Sequence, residues 1–352
     1  MDAVSHHHLG LQGRAPLWGG LPSPRASLRT TEAHDADEHA HNLTAWDQRY
    51  DQLSAGRFTG QLTELRLPQM QVFREGTSQA LRQSCRVWAD SFWFGLPDVG
   101  PSSPLPGAAD GAPTRINGRL HGAHDIMVRP GDEPFELVTP DQHSLFGMVV
   151  QREALMAAAA KQGCHVDWAA LQQAEVLHVA DGARLACLQA LDGLLPRHAL
   201  DGVQHGPAHS EVASLQDALL SVLLGMLDTS EVDTAARQSF AKRQKVVAQA
   251  REHVLAHPDQ AVTVPELCEQ LHVSRRTLQY CFEDVMGLSP IQYLRAIRLN
   301  GARRHLRAAA LQGQGVQDVA AHWGFWHLSQ FACDYRKLFG ETPSDTLRGG
   351  AH

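Results

Sequence analysis

The sequence predicts an α+β protein in two parts. An N-terminal β-rich, barrel-like unit with trailing helices precedes a C-terminal all-α unit built from two helix-turn-helix motifs. Three observations predict this. Period-two alternation and short apolar runs fill residues 57–150. Ala- and Leu-rich helical sequence takes over from Glu153. After residue 240 a pair of short helices occurs twice, each pair punctuated by cap and turn residues.

At 352 residues, 43% hydrophobic and 20% charged, the chain has enough apolar sequence for two cores and is not disordered throughout. The longest apolar run, residues 215–227, carries Asp217 and is too short to span a bilayer. No basic-then-apolar export signal opens the chain. Six cysteines, at 85, 164, 187, 268, 281 and 333, lack CxxC spacing, which argues against structural zinc and fits a reducing, cytoplasmic setting. The net charge of −7 is unevenly placed. Residues 240–352 hold 14 Lys+Arg against 10 Asp+Glu, so the body is acidic and the C-terminal segment basic. Seven arginines between Ser274 and Arg307 are set against Glu283 and Asp284 alone, which points to a polyanion partner.

Taken in order, residues 1–40 read as a disordered, His-rich tail. Residues 43–53 look like a short amphipathic helix entered through Thr44. Strands are expected over 63–67, 71–74 and 91–94. Nine Gly or Pro among nineteen residues make 95–113 a long loop. Strands at 124–128 and 135–138 flank the turn Arg129-Pro130-Gly131-Asp132, and 144–150 is a buried strand. Helices fill 153–195, with breaks near Gly163 and Gly182, and 210–227. In the second of these, Leu215, Leu219, Val222 and Met226 form a seam that could pair with a second copy or pack on its own domain. Residues 231–239 read as a linker.

The chemistry concentrates in the last 110 or so residues. A helix over 243–256 stops at His257-Pro258-Asp259. Thr263 and Glu266 then form a capping box with Pro265 in the first turn. A tight turn at His272-Val273 leads to Ser274, a second N-cap. Beyond it Leu278, Phe282 and Val285 share one face, while Arg275, Arg276, Gln279, Tyr280 and Glu283 project from the other. Arg matches guanine O6/N7 and Gln matches adenine N6/N7 in the major groove. The pattern recurs after Trp323-Gly324-Phe325, with His327, Ser329, Gln330 and Cys333 as outward positions and Gly340 as a C-cap. A helix over 289–308 joins the units, and its terminal Arg303, Arg304 and Arg307 suit phosphates. Its length of roughly 30 Å approaches the ~34 Å of a B-DNA turn. Arg298 reads as a structural bridge to a carboxylate.

These residues carry a resemblance. Ser274-Arg275-Arg276-Thr277-Leu278-Gln279, Phe282, Gly287, Pro290, Leu294, Arg298-Leu299 and Arg303-Arg304 resemble the first half of the AraC-type DNA-binding signature. Val319-Ala320, Gly324-Phe325, Ser329-Gln330-Phe331, Tyr335-Arg336-Lys337-Leu338-Phe339-Gly340 and Thr342-Pro343-Ser344 resemble its second half. Gly315 departs from the pattern, standing where such regulators often have a Ser or Thr cap. The resemblance implies a seven-helix DNA-binding domain over 240–352, Arg336 among its contact residues, and a transcription activator with double-stranded DNA and RNA polymerase as partners. It implies an effector-sensing, dimerising domain over 41–230.

Upstream, Trp46, Tyr50-Asp51-Gln52-Leu53, Gln71-Val72-Phe73-Arg74-Glu75, Leu81-Arg82-Gln83-Ser84-Cys85, Val87-Trp88 and Ser91-Phe92-Trp93-Phe94-Gly95 are similar to the EutR-type ethanolamine-operon regulators. So is Trp323-Gly324-Phe325-Trp326-His327-Leu328. That narrower resemblance implies ethanolamine as inducer with adenosylcobalamin as co-inducer. An ammonium needs a carboxylate or an aromatic face, and Glu75, Glu136, Trp88 and Trp93 are the candidates. The chain has no Asp-x-His-x-x-Gly corrinoid motif. Two alternatives stand beside this reading: an AraC-type regulator with another small-molecule inducer, and a cupin-like enzyme with a DNA-targeting module. His121, His124 and His143 would supply metal ligands to such an enzyme but form no clear cluster in the sequence. No catalytic residue and no metal site are assigned.

Overall fold

Two antiparallel sheets face each other in the N-terminal unit, helices cover the larger one, and the helix-turn-helix unit docks on the smaller. The computed structural model describes residues 26–98, 113–122, 125–195, 204–205, 209–232, 237–260, 262–309 and 313–349. The early elements are β1 (Ser27–Ala33), α1 (Ala36–Ala40), β2 (Asp47–Gln52), β3 (Gly60–Leu67), β4 (Met70–Thr77), β5 (Leu81–Arg86) and β6 (Ser91–Pro97). After them come β7 (Arg115–Ile116), β8 (Arg119–Leu120), β9 (Asp125–Pro130), β10 (Phe135–Thr139) and β11 (His143–Gln151). Helices α2 (Arg152–Gln162) and α3 (Trp168–Gln173), β12 (Val176–His178), α4 (Asp181–Leu194), β13 (Gln204–His205), α5 (His209–Leu227) and β14 (Glu231–Val232) complete the unit.

The larger sheet runs β13-β1-β3-β4-β11-β6-β9-β12-β14 and the smaller runs β2-β5-β10-β7-β8. They form two layers where a barrel-like unit was expected. Tyr50, Leu62, Phe73, Trp93, Phe135 and Val149 fill the space between them. The larger sheet buries its other face against α2, α4 and α5. Leu219 and Met226 of the α5 seam lie in that core, with Leu215 and Val222 packed against it. The seam therefore packs on its own domain.

The strands expected from residue 63 to 150 appear in β3, β4, β6, β9, β10 and β11. Three expectations fail. The tail assigned to 1–40 is ordered from residue 27: β1 pairs with β3 along its whole length, and Asp35 caps α1 by accepting from the amides of Asp37 and Glu38. Residues 1–25, with His6, His7 and His8, lie outside the described residues, as do 99–112 of the expected loop and His124. The helix expected over 43–53 is instead β2, paired with β5. Its Asp51 and Gln52 are buried because α9 covers them, so their burial carries no periodicity signal. The linker over 231–239 is in part structured, since β14 pairs with β12 and a helix begins at Arg237.

The C-terminal unit comprises α6 (Arg237–Ala256), α7 (Val264–Gln270), α8 (Arg275–Met286), α9 (Pro290–Ala309), α10 (Val316–His322), α11 (Leu328–Phe339) and α12 (Pro343–Gly349). Two small cores follow one another along α9. Val254, Leu267, Leu278, Phe282, Tyr293 and Ile297 make the first, and Leu306, Val319, Phe331, Tyr335 and Phe339 the second. At Gly301 a Cβ would sit 2.1 Å from the Trp323 ring, so glycine lets α9 and the end of α10 approach this closely. No helix among the described residues is long and apolar enough to cross a membrane.

Candidate nucleic-acid interface

Both short-helix pairs form. Thr263 Oγ1 accepts from the Glu266 amide and Glu266 Oε2 accepts from the Thr263 amide, closing the capping box that starts α7. His272 takes the left-handed conformation (φ 53°) in the turn, and Ser274 Oγ accepts from the Thr277 amide at 3.1 Å to start α8. Leu278, Phe282 and Val285 anchor α8 in the first core. Arg275, Arg276 and Tyr280 are exposed, and Gln279 is half-buried with its Nε2 donating to Glu283 Oε1 at 2.6 Å. The Arg243 guanidinium lies 5.6 Å from the centre of the Tyr280 ring and pairs with Asp284 at 2.6 Å. Tyr280 is thereby fixed at the edge of the outward face.

In the second pair, His327 occupies the N-cap of α11 without a side-chain cap bond. Phe331, Tyr335, Leu338 and Phe339 hold the helix. Ser329, Gln330, Cys333, Arg336 and Lys337 are exposed, and Gln330 Nε2 donates to Asp334 Oδ1 at 2.9 Å. Asp334 also pairs with Arg295 of α9. Among the described residues no ion pair engages Arg275, Arg276, Arg336 or Lys337, so four cations remain open on the two outward faces. Two exposed apolar side chains were missed in the sequence: Trp326 at 68% and Leu328 at 40% exposure, at the start of α11. They lie just outside the buried stripe of that helix, a signal the pattern held. Apolar groups here could meet thymine methyls.

Arg303 and Arg304 do not join this face. Arg303 is buried, pairing with Asp35 and, at 2.8 Å, with Glu341. Arg304 reaches Asp51 at 2.7 Å and Asp37 at 3.5 Å, and Arg307 reaches Asp35 at 3.1 Å. Asp51 also lies 3.5 Å from Arg82. Burial alone would raise the Asp35 and Asp51 carboxyls, yet the charges of Arg303 and Arg307, and of Arg304 and Arg82, hold them below the usual range. The arginines predicted to reach phosphates instead lock α9 to the N-terminal unit. Between them Asn300 completes a double amide bond with Gln52, donating to its carbonyl and accepting from its amide, each at 2.9 Å. Arg298 donates to the Gln260 carbonyl, a backbone partner in place of the expected carboxylate.

The recognition helices share a polarity. Near the C-terminal end of α8, Asp284 O accepts from Arg115 Nε at 3.3 Å, and near that of α11, Leu338 O accepts from Gly56 N at 3.0 Å. Gly340, which ends α11 at φ 71°, lies so close to Arg57 that a Cβ would sit 3.0 Å from its backbone nitrogen. Their first turns are exposed, with Arg275 and Arg276 on α8 and Leu328, Ser329 and Gln330 on α11. One N-terminal unit thus grips both motifs from behind and leaves the base-reading ends exposed.

The effector candidates do not gather. Glu75 faces the space between the sheets, accepting from Tyr50 Oη at 2.9 Å with His39 Nε2 at 3.2 Å. Burial would raise this carboxyl, but the hydrogen bonds and charge of His39 and the Tyr50 hydroxyl keep it low. Trp93 is fully buried and stacked on Phe135 at 4.8 Å. Glu75 pairs across from Leu145 and Trp93 from Val149, four positions apart along β11 and on opposite sides of it. Trp88 lies in the turn between β5 and β6, and Glu136 projects from the other side of the small sheet to pair with Arg82. Among the described residues no three His, Cys, Asp or Glu side chains come together as a metal site.

A helix-turn-helix domain family model matches residues 267–349. Over 164 residues the chain is 34% identical to a probable thc operon regulatory protein of Rhodococcus erythropolis, covering 46% of this chain and 48% of that one. It is 30% identical over 112 residues to XylDLEGF operon transcriptional activator 2 of Pseudomonas putida, covering 32% of this chain and 71% of the relative. Among solved structures, a probable AraC family transcriptional regulator of Rhodopseudomonas palustris is 30% identical over 31% of this chain and 99% of its own, with a TM-score of 0.28. The chain spans about half the length of the first curated relatives it matches.

Proposed function

We propose that this chain, which belongs to the AraC-type helix-turn-helix transcription regulators, activates transcription by setting α8 and α11 in successive major-groove segments of one promoter. The observation that carries the reading is the shared polarity of the two helices, each held at its C-terminal end and open at its N-terminal end. Helix α9 separates them by 20 residues, roughly 30 Å. That approaches the ~34 Å repeat of B-DNA, so both helices meet the same side of the duplex. Arg276, Gln279, Tyr280, Gln330 and Arg336 read base edges or phosphates, and Arg275 and Lys337 add charge. Bound there, the protein acts in the cytoplasm by contacting RNA polymerase. Footprinting of full-length protein on DNA upstream of its own and neighbouring genes tests this. Two protected segments about one helical turn apart are expected; one segment, or none that is sequence-specific, refutes the two-helix mode.

A narrower reading, activation of an ethanolamine-utilisation operon by ethanolamine with adenosylcobalamin, draws on the sequence resemblance alone. Glu75, the natural carboxylate for an ammonium, already has His39 and Tyr50 as partners. A promoter reporter scored with ethanolamine, adenosylcobalamin, both or neither decides it. Indifference to all of them leaves an AraC-type activator with another inducer.

A further inference from the structure

The two recognition helices repeat one another in register and differ in chemistry. One constant interval of sequence separates their N-caps, Ser274 and His327, and their core residues, Leu278 from Phe331 and Phe282 from Tyr335. The same interval separates their left-handed closing glycines, Gly287 and Gly340. The positions between therefore correspond one to one. Arg275 corresponds to Leu328, Arg276 to Ser329, Gln279 to Ala332 and Tyr280 to Cys333. Where α8 presents two guanidinium groups, an amide and a phenol, α11 presents an isobutyl group, a hydroxyl, a methyl and a thiol. The contrast extends to the residue before each cap. Val273 packs against the first core, whereas its counterpart Trp326 is 68% exposed. The inward role in the second unit falls to Phe325, whose ring lies 4.9 Å from that of Phe331, which leaves Trp326 outside the core. Leu328, on the other side of the cap, is 40% exposed. Two large apolar side chains flanking one cap at an open helix end make a surface that a partner covers. Farther along the same helix Arg336 and Lys337 stand exposed, so that partner is anionic around its apolar part. Gln330 keeps an amide in the first turn, and it donates to Asp334 Oδ1 at 2.9 Å. On the major-groove edges of a duplex, between its phosphates, the apolar group is the C5 methyl of thymine.

We propose that α11 selects thymine by its methyl group, with Trp326 and Leu328 seated on thymine C5 methyls while Ala332 and Cys333 leave room for the approach. Helix α8 reads its own segment by hydrogen bonds from Arg276 and Gln279. The assignment rests on the two-segment reading above and adds the base class to each segment. The operator is asymmetric in consequence: purine edges are read under α8, and a thymine-rich segment lies under α11.

Selection by the full chain from random-sequence duplexes, made once with thymidine and once with deoxyuridine, tests the proposal. The thymidine library is expected to yield two segments about one helical turn apart, one of them thymine-rich. Deoxyuridine lacks only the methyl, so its library is expected to keep the first segment and lose the thymine preference of the second. On a selected duplex, deoxyuridine in the thymine-rich segment should weaken binding about fourfold per contacted methyl. The same replacement in the other segment should leave affinity unchanged. Leu328→Ala and Trp326→Ala should each lower this sensitivity, and the double variant should bind thymidine and deoxyuridine duplexes alike. Both side chains are exposed, so the unfolding midpoint should hold. Leu328→Arg, which installs the chemistry of Arg275, should lose the methyl sensitivity and enrich guanine in that segment. Two segments enriched alike from both libraries, or full methyl sensitivity retained in the double variant, overturns the proposal and leaves the two-helix mode standing. A single enriched segment, or none, refutes the two-helix mode and this assignment with it.

Discussion

Two groups of arginines stand on neighbouring helices of the C-terminal unit and meet opposite fates. Arg275 and Arg276, in the first turn of α8, are exposed and unpaired among the described residues. Arg303, Arg304 and Arg307, in the last two turns of α9, are clamped by Asp35, Asp37 and Asp51. In sequence the two groups look alike, as basic clusters on helices of a DNA-binding unit. The difference lies 250 residues upstream, in aspartates that reach α9 only because β2 and α1 lie against it. Charge count alone therefore does not identify a nucleic-acid face. A cluster is available to phosphate only where no carboxylate from another part of the chain has claimed it.

The largest effect comes from breaking the clamped group. Asp51 is 1% exposed and sits between Arg82 and Arg304. Asp51→Ala leaves the buried Arg82 and the half-buried Arg304 without their shared carboxylate, a loss expected to cost about 3 kcal/mol of folding stability. Urea unfolding reads it directly. A cost below about 1 kcal/mol would mean that the clamp contributes little and that the α9 arginines can be released to DNA.

Acid probes the same clamp from the other side. Asp35 and Asp51 have folded-state pKa values below their unfolded ones. Their contribution to stability is thus present above the unfolded value of about 3.9 and lost as pH falls through the folded value. An earlier loss comes from the sandwich. Burial pushes His121 from 6.5 down to about 4, with Asp125 opposing and Arg184 reinforcing the shift. The unfolded chain then binds more protons between these values, so stability falls as pH drops from about 6.5 to 4. Burial pushes His143 down to about 4 as well, so two acid phases are expected in the urea midpoint, and His121→Gln should remove only part of the first. A single phase below pH 4 would show that neither His121 nor His143 is held neutral.

The exposed group gives a smaller and different effect. Arg276→Ala is expected to weaken DNA binding by about 1–3 kcal/mol. Folding stability should change by no more than about 0.5 kcal/mol, as at other open surface sites. Fluorescence anisotropy at two or more salt concentrations distinguishes a phosphate contact, which lowers the salt slope, from a base contact, which lowers specificity. If Arg276→Ala destabilised the fold and spared DNA binding, the contrast between the two groups would collapse.

The parts legible in the sequence were those set by local chemistry. Thr263, Glu266 and Ser274 announced their helix starts, Leu278, Phe282 and Val285 their buried face, and each acts within a few residues of itself. Strand β1 was hidden because it is half-exposed along most of its length, and β2 and β5 because the buried polar residues Asp51, Gln52, Arg82 and Gln83 interrupt their alternation. β4 shows why alternation fails in such a sheet: Gln71, Arg74 and Glu75 are all buried, satisfied by Glu64 and Trp46, by Asp98 and Asp192, and by His39 and Tyr50. The interface was illegible for the same reason, since the Asp35–Arg303 pair joins residues 268 positions apart. Of the site, the outward residues of α8 and α11 follow from register, whereas the fate of Arg303 and Arg304 needed the partner unit.

The smallest effects separate the two helix-turn-helix units themselves. The first opens with a complete capping box, Thr263 and Glu266 each serving the other's amide. The second has only half of one: the Gly315 amide donates to Asp318 Oδ2 at 2.9 Å, and Gly315 has no side chain to return a bond to the start of α10. Removing the cap and adding it should therefore be unequal. Thr263→Ala is expected to cost about 1 kcal/mol. Gly315→Ser should gain only a few tenths, because glycine already tolerates the cap position well. The backbone of Gly315, at φ −90°, accepts any side chain, and a Cβ there meets Asp318 Oδ2 at an ordinary 3.5 Å. Neither change touches an outward residue, so DNA affinity should hold while the unfolding midpoints move in opposite directions. If Gly315→Ser lowered the midpoint, the added hydroxyl would be competing with Asp318 for the Gly315 amide, and half a box would be the better cap at that helix.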